Sequence, residues 1–145
     1  MATNLVRYEL NGAPYWGVAS ASGIAPLDGA YPTTAALIEL VRPKPDARVA
    51  VFYSFGEGLE GGHFYDSHTI ENLMHPQSLL AYEMNFEPLN EQHGTPLRLR
   101  VENQLGFKMV KWIRAIEFVE NHKSFGEGEG GYNEDHEYFG ELANI

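Results

Sequence analysis

Apolar and polar residues alternate most regularly in the last third of the chain. Leu97, Leu99 and Val101 alternate with two arginines and a glutamate, and residues 113–119 alternate again. A period of two is typical of a strand with one buried face. We therefore predict two strands here, separated by the segment Gly106-Phe107-Lys108-Met109-Val110-Lys111-Trp112.

The residues before this pair indicate a further strand and two breaks. Residues 79–84 form a short apolar run, which favours a buried strand. Residues 85–90 contain asparagine and proline at positions that favour a turn. A second break is expected at residues 93–96, which read His-Gly-Thr-Pro.

The N-terminal pattern predicts a small β-meander over residues 4–32. Residues 5–10 alternate loosely and end at Asn11-Gly12, a dipeptide that strongly favours a hairpin turn. A returning strand is expected at 15–19 and a third strand at 24–27.

The middle of the chain combines short helices with strands. Thr33 or Thr34 is a suitable cap for a helix near residues 34–41. A buried strand is predicted at 49–53, a Gly- and Glu-rich loop at 54–62, and a short returning strand at 63–66. A helical turn is expected near residues 68–75.

Composition changes after residue 119. Residues 120–131 contain four glycines and three acidic groups, so propensity predicts no packed element there. Residues 132–145 regain aromatic and aliphatic side chains, and we expect them to dock on the body, on another copy of the chain or on a partner subunit. The 145 residues fit one domain: the meander, a body over 33–119, and a linker and tail over 120–145.

Charge and composition exclude several classes of function. The formal net charge of -10 argues against a nucleic-acid partner, which requires a basic face. No apolar run approaches the ~20 residues of a membrane span, and the first residues lack a signal-peptide pattern, so a cytoplasmic protein is expected. The sequence contains no cysteine, and hence no disulfide, thiolate metal ligand or cysteine nucleophile.

Sequence motifs in the C-terminal part of the chain resemble those of a known family. The run LLAYEMN…PL…HGTPLRLRV…LGFKMVKWIRAIEFV is similar to the second half of the molybdopterin-binding oxidoreductase domain of the sulfite oxidase family. That family carries a similar AYEMNG-x-PLP…HG-x-PLRL run, followed by a glycine-led basic corner. The resemblance covers about residues 42–145, including the Gly-Gly-Tyr-Asn-Glu-Asp segment at 130–135.

The resemblance implies a cofactor site and a missing ligand. It implies that Lys108, Met109, Val110 and Lys111 contact molybdopterin, although the same residues also fit an ordinary turn with two solvated lysines. In the family a cysteine thiolate binds molybdenum, and this sequence has none. We therefore expect no metal, and no redox catalysis by the isolated chain.

Three other interpretations remain open at this stage. Residues 4–40 resemble, over a short stretch, the N-terminal domain of the fumarylacetoacetate hydrolase family, which suggests a small hydrolase-related domain. His63, Asp66, His68 and His75 could bind a divalent metal, but their spacing matches no regular site and favours loop histidines. The acidic groups after residue 126 lack the pattern of a calcium loop and indicate a solvated tail.

The sequence thus predicts an α+β, strand-dominated mixed sheet with a partial molybdopterin-binding fold of the sulfite oxidase type. The expected function is that of a molybdopterin-dependent oxidoreductase-like protein. The alternative is a binding or assembly module without catalysis, built on a truncated oxidoreductase scaffold.

Overall fold

Strands dominate the chain. The computed structural model describes residues 4–27 and 46–136. The strands in that part are β1 Asn4–Leu10, β2 Ala13–Ser20, β3 Gly23–Leu27, β4 Val49–Glu57, β5 His63–Thr69, β6 Leu79–Ala81, β7 Glu83–Met84, β8 Glu87–Pro88, β9 Arg98–Arg100 and β10 Ile113–Val119. The α-helices are α1 Ile70–Leu73 and α2 Tyr132–Asp135, and short 3-10 turns cover Glu91–His93, Gly106–Lys108 and His122–Ser124.

These strands form four small sheets, and every pairing in the described residues is antiparallel. The sheet orders are β1-β2-β3, β10-β4-β5, β6-β9 and β7-β8. The prediction of a strand-dominated α+β chain is confirmed, whereas the predicted mixed sheet is wrong for this part of the chain. Tight turns join β1 to β2, β2 to β3, β4 to β5 and β7 to β8, which makes those pairs antiparallel, whereas parallel pairs need long crossovers.

The predicted N-terminal hairpin is confirmed. Asn11 and Gly12 have φ angles of 56° and 79°, the left-handed conformation that a type I′ turn requires at both central positions. β1 pairs with β2 from Asn4↔Ala19 to Leu10↔Ala13, and β2 then pairs with β3. Trp16 is buried and joins this meander to the main core.

The main core lies between the β10-β4-β5 sheet and the two-stranded β6-β9 sheet. Leu97, Leu99 and Val101 are 5%, 0% and 0% exposed, which confirms the predicted alternation. They pack with Phe52 from β4 and Ile116 from β10. Because β4 is paired on both sides, it is buried over most of its length.

Several segment boundaries differ from the prediction. β4 continues to Glu57, so the predicted loop over 54–62 begins four residues later than expected. β5 extends to Thr69, whose hydroxyl accepts a hydrogen bond from Asn72 N and caps α1. The predicted strand over 79–84 is divided into β6 and β7. The predicted helix near 34–41 and the end of the tail, 137–145, lie outside the described residues.

The Gly-rich segment after residue 119 packs against the body, contrary to expectation. Phe125 is 8% exposed and lies beside Val49 and Val51 of β4. Gly131 forms an antiparallel bridge with Asp66 of β5. Propensity gave the wrong answer because glycines here permit close backbone approach: a Cβ on Gly131 would lie 2.7 Å from Asp66 Oδ1.

No helix in the described residues is long and apolar enough to cross a membrane.

Candidate functional site

The basic corner between β9 and β10 is a compact turn. Gly106–Lys108 forms a 3-10 turn in which Met109 N donates a hydrogen bond to Gly106 O at 3.1 Å. Trp112 has a φ of 54°, which is uncommon for a bulky residue, and Ile113 then enters β10. The turn therefore reverses the chain sharply and directs successive side chains to different sides.

Lys108 points into the protein. Its ammonium contacts Asp66 Oδ1 on β5 and lies 2.6 Å from Glu134 Oε1 on α2. The side chains of Lys108, Asp66 and Glu134 are 4%, 0% and 1% exposed. We call these three residues the charge triad, and it joins three parts of the chain that are distant in sequence.

The pKa values of Asp66, Lys108 and the neighbouring His68 are shifted. Burial raises the pKa of Asp66 to about 7, with Glu134 adding to the effect and Lys108 opposing it. Burial would lower the pKa of Lys108, but the two carboxylates raise it overall, so this side chain remains an ammonium. His68 donates from Nε2 to Lys108 O at 2.6 Å, and burial lowers its pKa to about 4.

A cleft of about 300 Å³ opens beside the same turn. Its wall includes Met109, Val110, Lys111 and Trp112. The remaining lining residues come from β4, β5, the start of the turn and α2: Ser54, Gly56, Glu57, Phe64, Gly106, Phe107 and Asn133. The cleft is thus mostly apolar with a few polar groups, the composition usual for a small-molecule site.

Lys111 of the cleft wall shares a close contact with a second cation. Lys111 and Arg98 both pack on Gly94, where a Cβ would lie 2.9 Å from Lys111 Cβ and 3.2 Å from Arg98 Cβ. Gly94 has a φ of 101°, so glycine is favoured there on conformational grounds as well. The glycine thus lets the stems of two cationic side chains approach each other.

Both cations lack an acidic partner. None of the carboxylates that the structure describes lies within ion-pair distance of Arg98 or Lys111. Lys111 Nζ lies 4.3 Å from the centre of the Trp112 ring. Arg98 Nη1 donates to His93 O at 3.2 Å, while its buried Nε has no hydrogen-bond partner. Burial and the neighbouring Arg100 both lower the pKa of Arg98.

The four residues predicted to bind a cofactor therefore separate into two groups. Met109, Val110 and Lys111 line the cleft, and Lys108 does not. The Lys108 ammonium is already paired with two buried carboxylates, so its geometry is that of a structural ion pair. Cofactor contact by the other three residues stays a prediction.

The histidines and the acidic tail take positions that spacing did not predict. Asp66 and His68 lie two apart on one buried face of β5, whereas His63 and His75 are exposed. Among the described residues, no group of three His, Asp or Glu side chains is arranged to hold a metal ion. The solvated-tail interpretation is wrong for Glu134, which is buried because Lys108 compensates its charge.

Sequence reasoning missed Arg98, and it did not pair Asp66 and Glu134 with Lys108. Arg98 has the pattern of a solvent-facing strand residue, and only the turn at Gly94 brings it to Lys111. The one signal for the charge triad was Asp66 inside a strand-like run, since a carboxylate in a strand that becomes buried requires a cation.

Comparison with known proteins gives a match to a domain family and to parts of several oxidoreductases. The sequence model of the oxidoreductase molybdopterin binding domain matches residues 16–125, so the match begins within β2. A sulfite oxidase from Arabidopsis thaliana is 43% identical over 61 residues, which are 41% of this chain and 16% of that protein.

Two bacterial relatives show similar partial matches. The uncharacterized oxidoreductase YuiH from Bacillus subtilis is 42% identical over 62 residues, or 42% of this chain and 31% of YuiH. The protein-methionine-sulfoxide reductase catalytic subunit MsrP from Campylobacter jejuni is 30% identical over 115 residues, or 66% of this chain and 38% of MsrP. The chain therefore matches well under half the length of each of these relatives.

Proposed function

Because this chain belongs to the oxidoreductase molybdopterin-binding domain family, we propose that it binds the organic part of molybdopterin in the cleft beside Met109, Val110 and Lys111. The fold is then the second half of a sulfite oxidase-type domain. The observation that carries the proposal is this cleft with Lys111 on its wall, a cation that no described carboxylate neutralises and that packs on Gly94 together with a second such cation, Arg98.

The shape of the cleft fits a flat heterocycle. Its volume of about 300 Å³ is at the lower end of the range for small-molecule sites. Val110 and Phe107 give it apolar walls, and Ser54 and Asn133 add groups that can hydrogen-bond to a pterin ring. Gly106 has open space around its Cα, so a ligand can approach the backbone of the turn there.

The two cations fit the phosphate of the cofactor. Phosphate binds best to a guanidinium and an ammonium whose charges are not already paired. Arg98 offers a guanidinium whose buried Nε has no hydrogen-bond partner among the described residues, and the partly exposed Lys111 packs on the same glycine, Gly94. Lys108 takes no part in anion binding, because two carboxylates hold its ammonium inside the protein.

This chain provides no thiolate ligand for the molybdenum of the cofactor. Molybdopterin with bound molybdenum supplies two-electron redox chemistry, and a thiolate is the ligand that suits such a soft centre. The sequence contains no cysteine. We therefore assign binding and orientation of the organic moiety to this chain, and redox turnover to an assembly in which another polypeptide provides the thiolate.

The proposal is tested by measuring pterin and molybdenum in the purified chain. The protein is produced in a bacterial strain that accumulates molybdopterin, and bound pterin is released, oxidised and quantified by fluorescence. We expect the wild-type chain to retain pterin with molybdenum well below one per chain. Arg98→Gln and Lys111→Gln should each lower retention roughly tenfold, as loss of a charge-assisted hydrogen bond predicts.

Arg100→Gln is the matched control. It removes a cation from the same strand, but Arg100 is paired with Glu102 at 2.7 Å, so pterin retention should not change. Absence of pterin from the wild-type chain, or equal losses in all three variants, overturns the phosphate site. Stoichiometric molybdenum with unaided substrate turnover overturns the division of roles between this chain and a thiolate-bearing partner.

A further inference from the structure

The charge triad contains one more negative charge than positive charge. Asp66 and Glu134 are both buried, and Lys108 is the only cation that contacts them in the described part of the chain. Ser67 N also donates to Asp66 Oδ1, at 2.7 Å. With both carboxyls ionised, the group has a net charge of -1 in a site closed to water, which is costly unless a proton neutralises it.

Two oxygens are available for that proton. Asp66 Oδ2 and Glu134 Oε2 are buried and have no hydrogen-bond partner. Both carboxyls also approach Gly131, where a Cβ would lie 2.7 Å from Asp66 Oδ1 and 2.6 Å from Glu134 Oε2. A second carboxyl group this close disfavours ionisation of Asp66, which therefore keeps its proton to a higher pH than an isolated aspartate.

The triad fastens the last described segment to the body. Ser67 Oγ donates to Gly130 O at 2.6 Å, and Tyr132 is held between Glu60 N and Gly61 O at 2.7 and 3.1 Å. Asn133, from the same segment, forms part of the cleft wall. The ion pair between Glu134 and Lys108 also attaches this segment to the body. The protonation state of the triad therefore affects whether Asn133 stays in the cleft wall.

We propose that the charge triad is a proton-dependent latch, which holds residues 130–135 closed against the cleft when one proton is shared between Asp66 and Glu134. Loss of that proton leaves a buried net negative charge. The cost is relieved when Glu134 leaves the site and becomes hydrated, because Lys108 then pairs with Asp66 alone. The latch needs no bound cofactor, so it stands or falls separately from the proposed pterin site.

Among the other titratable groups around the triad, Tyr65 and His68 do not account for such a response. Burial and the hydrogen bond to Asp135 raise the pKa of Tyr65, and burial lowers that of His68 to about 4, so both are neutral near pH 7. His136 stacks on Tyr132, and His122 lies 3.3 Å from Ser67 Oγ through Nδ1. These two histidines face the segment, but neither carries the excess charge. Asp66, with a pKa of about 7, is positioned to act as the proton donor.

Hydrogen exchange of the full chain between pH 5 and 8 tests the latch. Amide protection in a peptide covering 126–136 is compared with protection in β10, after correction for the intrinsic pH dependence of exchange. The closed state holds a proton that the open state releases above pH 3.8. The opening equilibrium should therefore rise by up to about tenfold per pH unit to pH 7 and then level off, while β10 protection changes less.

Matched variants separate this mechanism from simple packing. Glu134→Gln leaves one carboxylate for one ammonium, so its opening equilibrium should not change over this pH range. Glu129→Gln removes an exposed carboxylate from the same segment and should keep the wild-type slope. A pH-independent wild-type protein, or a Glu134→Gln variant with an unchanged slope, overturns the proposal.

A direct titration keeps the proposal falsifiable if Glu134→Gln fails to fold. The carboxyl carbon resonance of Asp66 in the wild-type chain should report protonation with a midpoint near pH 7. A midpoint in the ordinary aspartate range overturns the latch whatever the variants do.

Discussion

Asp66 and His68 should have opposite effects on the pH dependence of global stability. The two residues lie on one face of β5 and are 0% and 3% exposed. Burial raises the pKa of Asp66 from 3.8 to about 7 and lowers that of His68 from 6.5 to about 4. Both shifts disfavour the charged form, which is an anion in one case and a cation in the other.

The signs and sizes follow from proton linkage. The Asp66 shift of about 3 pKa units is worth about 4 kcal/mol of stability, which is complete below pH 3.8 and lost as the pH rises to about 7. The His68 shift costs nothing above pH 6.5 and about 3 kcal/mol once the pH has fallen to about 4. Between about pH 4 and 6.5 the effects of Asp66 and His68 on the free energy of unfolding have opposite pH dependence. The two effects therefore cancel in the wild-type chain.

Two substitutions uncover the hidden slopes. His68→Gln keeps a hydrogen-bond donor for Lys108 O. As the pH rises from 4.5 to 6.5, the free energy of unfolding of this variant should fall relative to wild type by up to about 1.4 kcal/mol per pH unit. Asp66→Asn should show the reverse, a rise of similar size over the same range. Urea unfolding followed by tryptophan fluorescence at half-unit pH intervals measures both.

Differences from wild type remove the contributions of all other groups. His75→Gln, at an exposed histidine after α1, is the control and should parallel wild type at every pH. If the His68→Gln and Asp66→Asn differences have the same sign, or if both are flat, then burial is not what sets these two titrations and the argument fails.

Two further substitutions test local geometry. Phe86 is 101% exposed and has a φ of 66°, a left-handed conformation that is strained for a residue with a side chain. Phe86→Gly should therefore raise the free energy of unfolding by roughly 0.5–1 kcal/mol. Chemical denaturation measures this, and an unchanged free energy contradicts the strain. A Cβ on Gly58 would overlap the Tyr132 ring, so Gly58→Ala should lower the free energy of unfolding by about 1–3 kcal/mol. Gly106→Ala is the control, because a Cβ there has no neighbour within 4 Å, and it should leave that free energy unchanged. Equal effects of the two substitutions contradict the predicted overlap.

Features encoded by neighbouring residues were predictable from the sequence. The Asn11-Gly12 hairpin and the alternation of Leu97, Leu99 and Val101 depend on turn chemistry and on a period of two, and both are confirmed. The cap of α1 by Thr69 has the same local origin. Where two or three adjacent side chains decide a conformation, propensity is a sufficient guide.

Features that depend on distant pairing were not predictable in this way. Lys108 has the pattern of a solvated lysine in a turn, yet it is buried because Asp66 and Glu134, which are 42 and 26 residues away, neutralise it. The Gly-rich segment has the composition of a linker, yet it packs because Phe125 and Tyr132 find apolar and aromatic partners on β4 and β5. Local composition contains no information about these partners.

The pairing of each cation separates structural from functional charge in this acidic chain. A lysine already held by two buried carboxylates gains little from an anionic ligand, and its removal would leave an uncompensated buried charge. A cation without a carboxylate partner has its binding capacity available, which is why the proposed anion site contains Arg98 and Lys111 and not Lys108. In the basic corner, we thus propose opposite roles for two lysines three residues apart: Lys108 holds a segment that forms part of the cleft wall, and Lys111 faces the bound anion.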